Sequence, residues 1–534
     1  MTAKGYLALV LHAHLPYVRH PEHEEFLEED WLFEAIIETY LPLLSVVEGL
    51  KKDMVEFSLT ISFSPTLTSM LQDSLLKERF LRHLNRLIEL SEKEVERTAH
   101  IPKLNDLASN YLWSLSEAKK TYIEKYDCDI ISAFGNLMDA GYLEIITCAA
   151  THGFLPLISQ NELAVKAQIR IACDHHEKVF GKRPKGFWLP ECAYYPGVEK
   201  HLKNEGILFF FVDSHGVLHS KPRPKYGVFA PVFTENGIAV FGRDTESSLQ
   251  VWSARHGYPG DPVYRDFYRD IGFDLDLEYI KPYIQPTGHR KMTGIKYHRI
   301  TGQNVDKKEI YDRQKALLKA SEHAADFIEK RIIQLQNLSG LMDRPPIITA
   351  PYDAELFGHW WSEGPDFLNF LFRKIHHGQS GLKTITPVEY LRLYPLNQPV
   401  SLSASSWGSM GFSNVWLNES NDWIYPHLHK SAERMEEMAT RFYDANGTTL
   451  RAMNQAMREL LLAQGSDWAF IMKTGGMVPY AEKRVKDHVS RFNRLYKEVM
   501  AQNIDEGFLK EIESMDNIFP DIDIRIFASR LKSR

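Results

Sequence analysis

The 534-residue sequence has few cysteines, no long apolar run and none of the glycine-rich loops that commonly bind nucleotides. Its four cysteines, Cys128, Cys148, Cys173 and Cys192, form no CxxC pair, which argues against a thiolate zinc site and against a disulfide framework. No apolar run approaches the ~20 residues that span a bilayer. The Walker A, GxSxG and GxGxxG patterns are absent. We therefore expect no nucleotide cofactor and no membrane association.

The charge balance gives no sign of a polyanionic partner. The net charge is −7, and acidic and basic residues are mixed along the chain. This pattern argues against nucleic acid as the main partner and is compatible with a neutral substrate. Residues 1–18 contain one lysine and a short apolar run but no signal-peptide cleavage pattern, so we expect a cytoplasmic protein. The sequence does not determine the oligomeric state.

Seven short apolar runs each end in a polar or ionisable residue. They are residues 6–14, 55–64, 143–152, 186–191, 208–215, 237–244 and 346–355. Near-continuous apolar strands are typical of a parallel sheet that is buried on both faces. Amphipathic helical patterns, such as 75–97 and 308–338, separate many of the runs. This α/β alternation predicts an incomplete TIM-type barrel, one strand short of eight.

Two insertions and a helical C-terminal part complete the predicted organisation. Residues 66–141 are mostly helical and polar, so we expect a helical subdomain there. Residues 245–307 are rich in Tyr, Gly, Pro and Asp, which indicates an ordered loop region over the strand ends. The β runs stop after about residue 395. We therefore predict a catalytic barrel over residues 1–395 and a C-terminal helical domain over residues 396–534.

The ends of the predicted strands carry the candidate site, because chemistry in such barrels lies at the carboxyl ends of the strands. The residues at these ends are His12, His14, His152, Glu191, Asp213, Arg243, Asp244 and Asp353. His12 and His14 are two apart in a strand, so both side chains face one side. That spacing suits metal ligands, another role in the site, or hydrogen bonds within a loop.

Glu191 and Asp353 form the second pattern, a pair of carboxylates at two different strand ends. Apolar surroundings disfavour the charged form of Glu191 unless a donor or cation stabilises it, so a purely structural role is unexpected. Asp353 could instead cap a helix, which Asp does well. Two carboxylates that point into one cavity are the basic requirement for glycoside chemistry.

An aromatic and polar cluster follows at residues 405–425, where Trp407, Trp416 and Trp423 stand among Gly, Ser and Asn. Sugar rings stack on indole, and their hydroxyls suit Asn, Ser and Asp. The same cluster could also be a loop that its own tryptophans pack onto the barrel. Residues 465–470 add Asp467 beside another tryptophan.

Five segments together resemble the ordered motifs of glycoside hydrolase family 57. They are HAHLP (12–16), THGFLP (151–156), GFWLPECAY (186–194), PYDAELFGHWW (351–361) and SSWGSMGFSNVWLN (405–418). In length and motif order the chain is similar to the subgroup of α-1,4-glucan branching enzymes and related α-amylases. The first motif departs from the more common His-Gln-Pro, and the second from Gly-His-Glu. Both departures resemble the branching-enzyme subgroup.

The resemblance implies a (β/α)7 barrel, retention of anomeric configuration and no required metal. It implies that Glu191 is the nucleophile and Asp353 the general acid/base. Residues implied to contact substrate are His12, His14, His152, Trp360, Trp407, Trp416, Asp467 and one arginine of the loop insertion, Arg265 or Arg269. Residues 216–233 suit a lid, and we expect Tyr226 to fold over the bound glucosyl unit.

The expected activity is that of a 1,4-α-glucan branching enzyme in glycogen synthesis, with an amylose- or glycogen-like substrate. An α-amylase or a 4-α-glucanotransferase of the same family is the alternative, since the acid pair does not distinguish them. Two other classes remain open. One is a metal-dependent polysaccharide deacetylase that uses the strand-end histidines with Asp213. The other is a glucan-binding protein without catalysis, against which the presence of both Glu191 and Asp353 argues.

Overall fold

A single nine-stranded sheet forms the centre of the computed structural model, which describes residues 3–253, 257–284, 288–302, 307–378 and 381–528. The strands are β1 (Gly5–Ala13), β2 (Leu59–Phe63), β3 (Leu143–Cys148), β4 (Gly186–Trp188), β5 (Phe209–Val212), β6 (Val232–Phe233), β7 (Ala239–Gly242), β8 (Ile347–Asp353) and β9 (Leu382–Thr384). The seven predicted runs overlap β1–β5, β7 and β8, so the predicted barrel fold is confirmed. Strands β6 and β9 were not predicted, because two or three residues are too few to show a period.

The strand order is β6-β7-β5-β4-β3-β2-β1-β8, and β9 pairs with the start of β1. All pairings are parallel except that of β6 with β7. The sheet curls until the backbone N–H of Asp244, just after β7, donates to the carbonyl oxygen of Thr349 on β8 at 2.9 Å. Because the parallel strands share one direction, their carboxyl ends meet at one mouth.

Helices cover the outside of the sheet and fill the first insertion. Helices of the barrel part are α1 (Glu29–Ala35), α2 (Leu41–Lys52), α3 (Pro65–Gln72), α4 (Ser74–Thr98), α5 (Pro102–Lys120), α6 (Ile130–Asp139), α7 (Leu155–Ile158), α8 (Glu162–Phe180), α9 (Val198–Asn204), α10 (Ser214–Leu218), α11 (Thr245–Trp252), α12 (Ile271–Asp274), α13 (Leu277–Ile280), α14 (Arg313–Leu338), α15 (Gly364–His377) and α16 (Pro387–Leu393). A π-helical turn, Ile36–Tyr40, joins α1 to α2. Helices α3 to α6 occupy the predicted helical insertion.

The C-terminal part is helical, as the pattern predicted, with five α-helices between residues 396 and 528. They are α17 (Ile424–Arg441), α18 (Gly447–Ala463), α19 (Ser466–Thr474), α20 (Val478–Ala501) and α21 (Glu506–Met515). The domain boundary at residue 395 stays a prediction. Across the described ranges, every helix is too short or too polar to cross a bilayer.

Gly358 allows a close approach between two segments that line the site. Its φ is +119°, and a Cβ at this position would lie 1.8 Å from the carbonyl oxygen of Glu38 in the π-helical turn. Real Cβ atoms do not approach backbone that closely, so a side chain here would force the two segments apart.

We expect Gly358→Ala to lower the free energy of unfolding by about 2–3 kcal/mol through overpacking and backbone strain. The matched control is Gly181→Ala after α8, where φ is +71° and no atom lies within 4 Å of the added Cβ. The control should lose only about 1 kcal/mol, from left-handed strain. Denaturant or thermal unfolding measures both. Equal losses of unfolding free energy in the two variants would contradict the close approach of Gly358 to Glu38.

Candidate active site

A cavity of about 830 Å³ opens at the carboxyl ends of the strands. Of the residues predicted from sequence, ten line it together: His12, His14, His152, Glu191, Arg243, Asp353, Trp360, Trp407, Trp416 and Asp467. They come from strand ends, from the segment between β8 and α15, from the loop before α17 and from α19. Folding therefore assembles a site from residues that are spread over most of the chain.

Glu191 lies just after β4 in a tight turn with its backbone in the left-handed region, at φ 61°. The Trp407 indole Nε1 donates a hydrogen bond to Glu191 Oε2 at 2.6 Å. The Ser466 hydroxyl donates to Glu191 Oε1 at 2.9 Å. Hydrogen bonds to both oxygens favour the carboxylate form and fix the direction in which it points.

The pKa of Glu191 is nevertheless raised, to about 7. Burial is the largest cause, and the charges of Asp467 and Asp353 add to it, while the Trp407 and Ser466 hydrogen bonds work against it.

Asp353 is the last residue of β8 and stands opposite His12 in the strand register. It precedes a short 3₁₀ turn, Ala354–Leu356, but its side chain makes no capping hydrogen bond to that turn. The helix-cap interpretation is therefore not supported. Burial raises the pKa of Asp353 to about 6, although the Arg243 and His14 cations lower it. Its carboxyl accepts no hydrogen bond within the described structure and is free to meet a ligand.

Three histidine rings stack along one wall of the cavity. The rings of His14 and His152 are 3.8 Å apart, and His12 stacks on Trp188 at 4.5 Å. His12 Nε2 and His152 Nε2 are 2.9 Å apart. His14 Nε2 instead lies 3.1 Å from Asp467 Oδ1.

The three rings differ in charge. Burial lowers the pKa of His12 and of His152 well below its usual range. Burial also acts to lower the pKa of His14, but the carboxylates around it, first Asp467, raise it above its ordinary value. Two neutral imidazoles therefore face the cavity together with a third, His14, that binds a proton more readily than a free imidazole does.

The side chains of His14, His152 and Asp467 place three potential metal-ligand atoms within 4.8 Å of one another. Both nitrogens of His152 already take part in protein hydrogen bonds, with His12 and with Ser466. Asp213, which the deacetylase alternative requires, lies 3.4 Å from Arg243 and 3.3 Å from His215. Among the described residues, no metal-ligand group contains Asp213. The ligand set of that alternative is therefore not assembled.

The structure does not bring Tyr226 to the cavity, contrary to the lid expectation. Its ring lies between the Lys225 ammonium, at 4.7 Å, and the Arg344 guanidinium, at 6.0 Å. Arg344 precedes the start of β8, whereas Asp353 ends that strand, about 20 Å further on at ~3.3 Å per residue. The backbone N–H of Ile347, the first residue of β8, donates to the carbonyl oxygen of Phe229 at 2.9 Å, which holds the segment next to Tyr226 at the end of the sheet opposite the mouth.

Neither Arg265 nor Arg269 lines the catalytic cavity, whereas Arg290 of the same insertion does. Arg269 is on the surface and donates to Asp274 Oδ2 at 2.8 Å. Arg265 is buried and donates to Glu38 Oε1 and to the Tyr111 hydroxyl, both at 3.2 Å. The expectation that one of them contacts substrate in this cavity does not hold for the arrangement described here.

Arg243, which the sequence places among the strand-end candidates, follows β7, lines the cavity and lies over the Trp407 ring at 5.5 Å. Two functional groups, Glu355 and Ser466, were missed as site residues. Glu355 is buried and accepts a 2.5 Å hydrogen bond from the Tyr40 hydroxyl. Its position two residues after Asp353 could have pointed to it. Ser466 had no signal beyond its position next to Asp467.

Two known families match successive parts of the chain. The description "Glycosyl hydrolase family 57" matches residues 8–405. A second one, "1,4-alpha-glucan branching enzyme, C-terminal", matches residues 427–527.

The individual relatives carry two different activities in their names. A 1,4-α-glucan branching enzyme of Thermococcus kodakarensis is 35% identical over 98% of this chain and 79% of its own length. The crystal structure of a branching enzyme from Pyrococcus horikoshii superposes with a TM-score of 0.89 at 36% identity, covering 99% of this chain and 97% of that one. The α-amylase AmyC of Thermotoga maritima superposes with a TM-score of 0.92 at 45% identity, covering 98% and 99%.

Replacing Trp407 with Phe keeps an aromatic wall but removes the donor to Glu191. We expect kcat/KM on any cleaved substrate to fall about 10- to 100-fold, since a hydrogen bond to a charged group contributes about 1.5–3 kcal/mol. The lost bond is one that lowers the pKa of Glu191, so that pKa should rise. If Glu191 must be ionised to act, the acid limb of the pH profile moves to higher pH.

Trp360→Phe is the matched control, because Trp360 lines the same cavity with its side chain 53% exposed and stacks on Phe267. The Trp360→Phe variant should change KM and leave the acid limb of the pH profile at the same pH. An unmoved acid limb in Trp407→Phe would contradict the role given to the indole hydrogen bond.

Proposed function

The chain belongs to glycoside hydrolase family 57, and on that premise we propose that it is a 1,4-α-glucan branching enzyme that works by a retaining double displacement. One observation carries the proposal. The carboxylate of Glu191 is held by two donors at one side of a large aromatic cavity, and the carboxyl of Asp353 faces the same cavity without a protein partner. The carboxylate that is held in place, Glu191, suits the role of nucleophile, and the carboxyl without a protein partner, Asp353, suits the role of proton donor.

The first step transfers a glucan chain to the enzyme. A Glu191 oxygen forms a bond to the anomeric carbon while the bond from that carbon to the leaving 4-oxygen breaks. Asp353 gives its proton to the leaving oxygen. Burial raises the pKa of both carboxyls, of Asp353 to about 6 and of Glu191 to about 7, and the hydrogen bonds from Trp407 and Ser466 favour ionisation of Glu191 rather than of Asp353. Because displacement occurs on the opposite face, the intermediate is a β-glucosyl ester of Glu191.

The second step passes the chain to an acceptor. The carboxylate of Asp353 now takes the proton from a 6-hydroxyl of another glucan, whose oxygen attacks the anomeric carbon and releases Glu191. Two inversions give net retention, and the new bond is an α-1,6 branch. His14, whose pKa is raised by the carboxylates around it, and the Arg243 cation are placed to compensate the negative charge that moves between the two carboxylates.

Water can replace the acceptor in that second step, which gives α-amylase activity. This alternative is supported by the 45% identity to an α-amylase over 98% of this chain. The branching assignment is supported by the match of residues 427–527 to a branching-enzyme C-terminal description and by the two branching-enzyme relatives. We propose that transfer exceeds hydrolysis, that the substrate is a linear α-1,4-glucan, and that the enzyme works in the cytoplasm on a glycogen-like product.

Incubation with amylose tests this choice directly. We expect new α-1,6 linkages to exceed new reducing ends, because each transfer makes one linkage without a net gain of ends. Debranching followed by chain analysis counts the linkages, and a reducing-sugar assay counts the ends. Glu191→Gln should give neither product. Reducing ends without α-1,6 linkages would establish the α-amylase alternative.

Azide rescue tests the two roles separately, with an activated maltooligosaccharide that needs no acid to leave. Asp353→Ala can still form the β-glucosyl ester, which azide should open to the α-azide. Glu191→Ala cannot form it, so azide should attack directly and give the β-azide. The anomeric configuration is measured by proton NMR coupling. The opposite assignment of products would show that the two carboxyls have exchanged roles.

A further inference from the structure

A second cavity, of about 320 Å³, lies behind one wall of the catalytic cavity. It is formed by α5 of the helical insertion, the turn between α1 and α2, and residues 293–295 of the loop insertion. Glu34 lines both cavities. The two spaces are therefore separated by little more than one side chain.

One face of α5 provides aromatic and polar surface to this second cavity. Leu107, Asn110, Tyr111 and Ser114 follow the three- and four-residue spacing of a single helix face and all line it. Trp113 lines its rim and is 64% exposed, although an indole normally gains by burial. An exposed indole next to amide and hydroxyl groups provides both stacking and hydrogen bonds to a ligand.

Two polar groups at the inner end of the cavity have unused hydrogen-bonding capacity. Arg265 Nε makes no hydrogen bond, while the other two nitrogens of the guanidinium donate to Glu38 and Tyr111. The Glu34 side chain is 22% exposed, its carboxyl accepts no hydrogen bond from the described residues, and its ion-pair partner, His359 Nδ1, lies 3.8 Å away. A ligand hydroxyl that enters the cavity can therefore donate to Glu34, and the Arg265 side chain offers a donor at the same end.

The charges of the lining select the class of ligand. The lining has three acidic residues, Glu34, Glu38 and Asp366, and two basic ones, Arg265 and Arg313. Because the two signs are mixed, the lining does not strongly attract either an anion or a cation. Neutral molecules whose hydroxyls both donate and accept fit this lining. A glucan chain has such hydroxyls and an apolar ring face that suits an indole.

We infer that the second cavity is a binding site for an α-glucan chain, separate from the catalytic cavity and held by Trp113 at its rim and by Arg265 and Glu34 at its inner end. This inference rests on the proposed function, since it assumes that the enzyme acts on α-glucans. In this site Arg265 contacts glucan. The sequence predicted a substrate contact for Arg265 or Arg269, but in the catalytic cavity rather than in the second one. A chain bound here is kept close to the catalytic cavity, which raises its local concentration.

The test compares long and short glucans in the Trp113→Ala variant. Binding is measured in a Glu191→Gln background by affinity electrophoresis in amylose, and turnover is measured on amylose and on a chromogenic maltotrioside. We expect amylose to bind about five- to tenfold more weakly, which is the loss of one aromatic contact. The KM for the maltotrioside should not change, because that substrate occupies the catalytic cavity alone.

Tyr443→Ala is the matched control, since Tyr443 is 51% exposed and follows α17 in the C-terminal part. Ser114→Trp fills the second cavity without removing an aromatic and should weaken amylose binding as Trp113→Ala does. Unchanged amylose binding in both variants would overturn the inference, and so would an equal loss on amylose and on maltotrioside. A wild-type enzyme that neither binds nor cleaves amylose would instead refute the proposed function.

Discussion

The hydrogen bonds to the Glu191 carboxylate are the constraint on which the site depends. Their donors, Trp407 and Ser466, lie 216 and 275 residues further along the chain. A buried carboxylate without donors would stay protonated and could not act as a nucleophile. The barrel provides the Glu191 carboxylate, and the segments that follow β9 provide the two hydrogen-bond donors that favour its charged form. Barrel and C-terminal part therefore form one catalytic unit, whichever residue divides them.

Sequence alone predicts those parts of the site that the parallel sheet places. Glu191, Asp353, His12 and His14 follow apolar strands, and the carboxyl ends of parallel strands meet at one mouth, so their convergence follows from topology. Sheet topology does not position the residues of the insertions in this way. Tyr226 and Arg269 lie in segments without a strand or helix period, and their positions depend on contacts that a local pattern does not encode. Ser466 is an ordinary residue in sequence, and only the contact with Glu191 gives it a role.

The acid pair serves transfer and hydrolysis equally, so the outcome depends on how long an acceptor chain stays near the ester. In this structure Tyr226 does not cover the mouth, and Trp252 and Trp360, which are 51% and 53% exposed, stand at the cavity wall. Retention of an acceptor then comes from exposed aromatic surface rather than from a closed lid. Aromatic contacts of this kind hold a chain without excluding water, which is consistent with a family that contains both branching enzymes and α-amylases.

The neutral state of His12 and His152 determines the direction of a chain of hydrogen bonds that ends on Glu191. Ser466 has one proton and donates it to Glu191, so its oxygen accepts from His152 Nδ1 at 2.8 Å. A neutral His152 then accepts at Nε2, and His12 Nε2 is the donor across 2.9 Å. A neutral His12 accepts in turn at Nδ1 from the Ser62 hydroxyl at 3.1 Å.

Every donor in this chain therefore points towards the carboxylate. Protonation of His152 would place a second donor between the two imidazoles, and protonation of His12 would place a donor against the Ser62 hydroxyl, so either would break the order. The burial that keeps both rings neutral therefore preserves the hydrogen bonds that favour the charged nucleophile. The stacked histidines thereby act through Ser466 to hold Glu191, and they need no metal ion to do so.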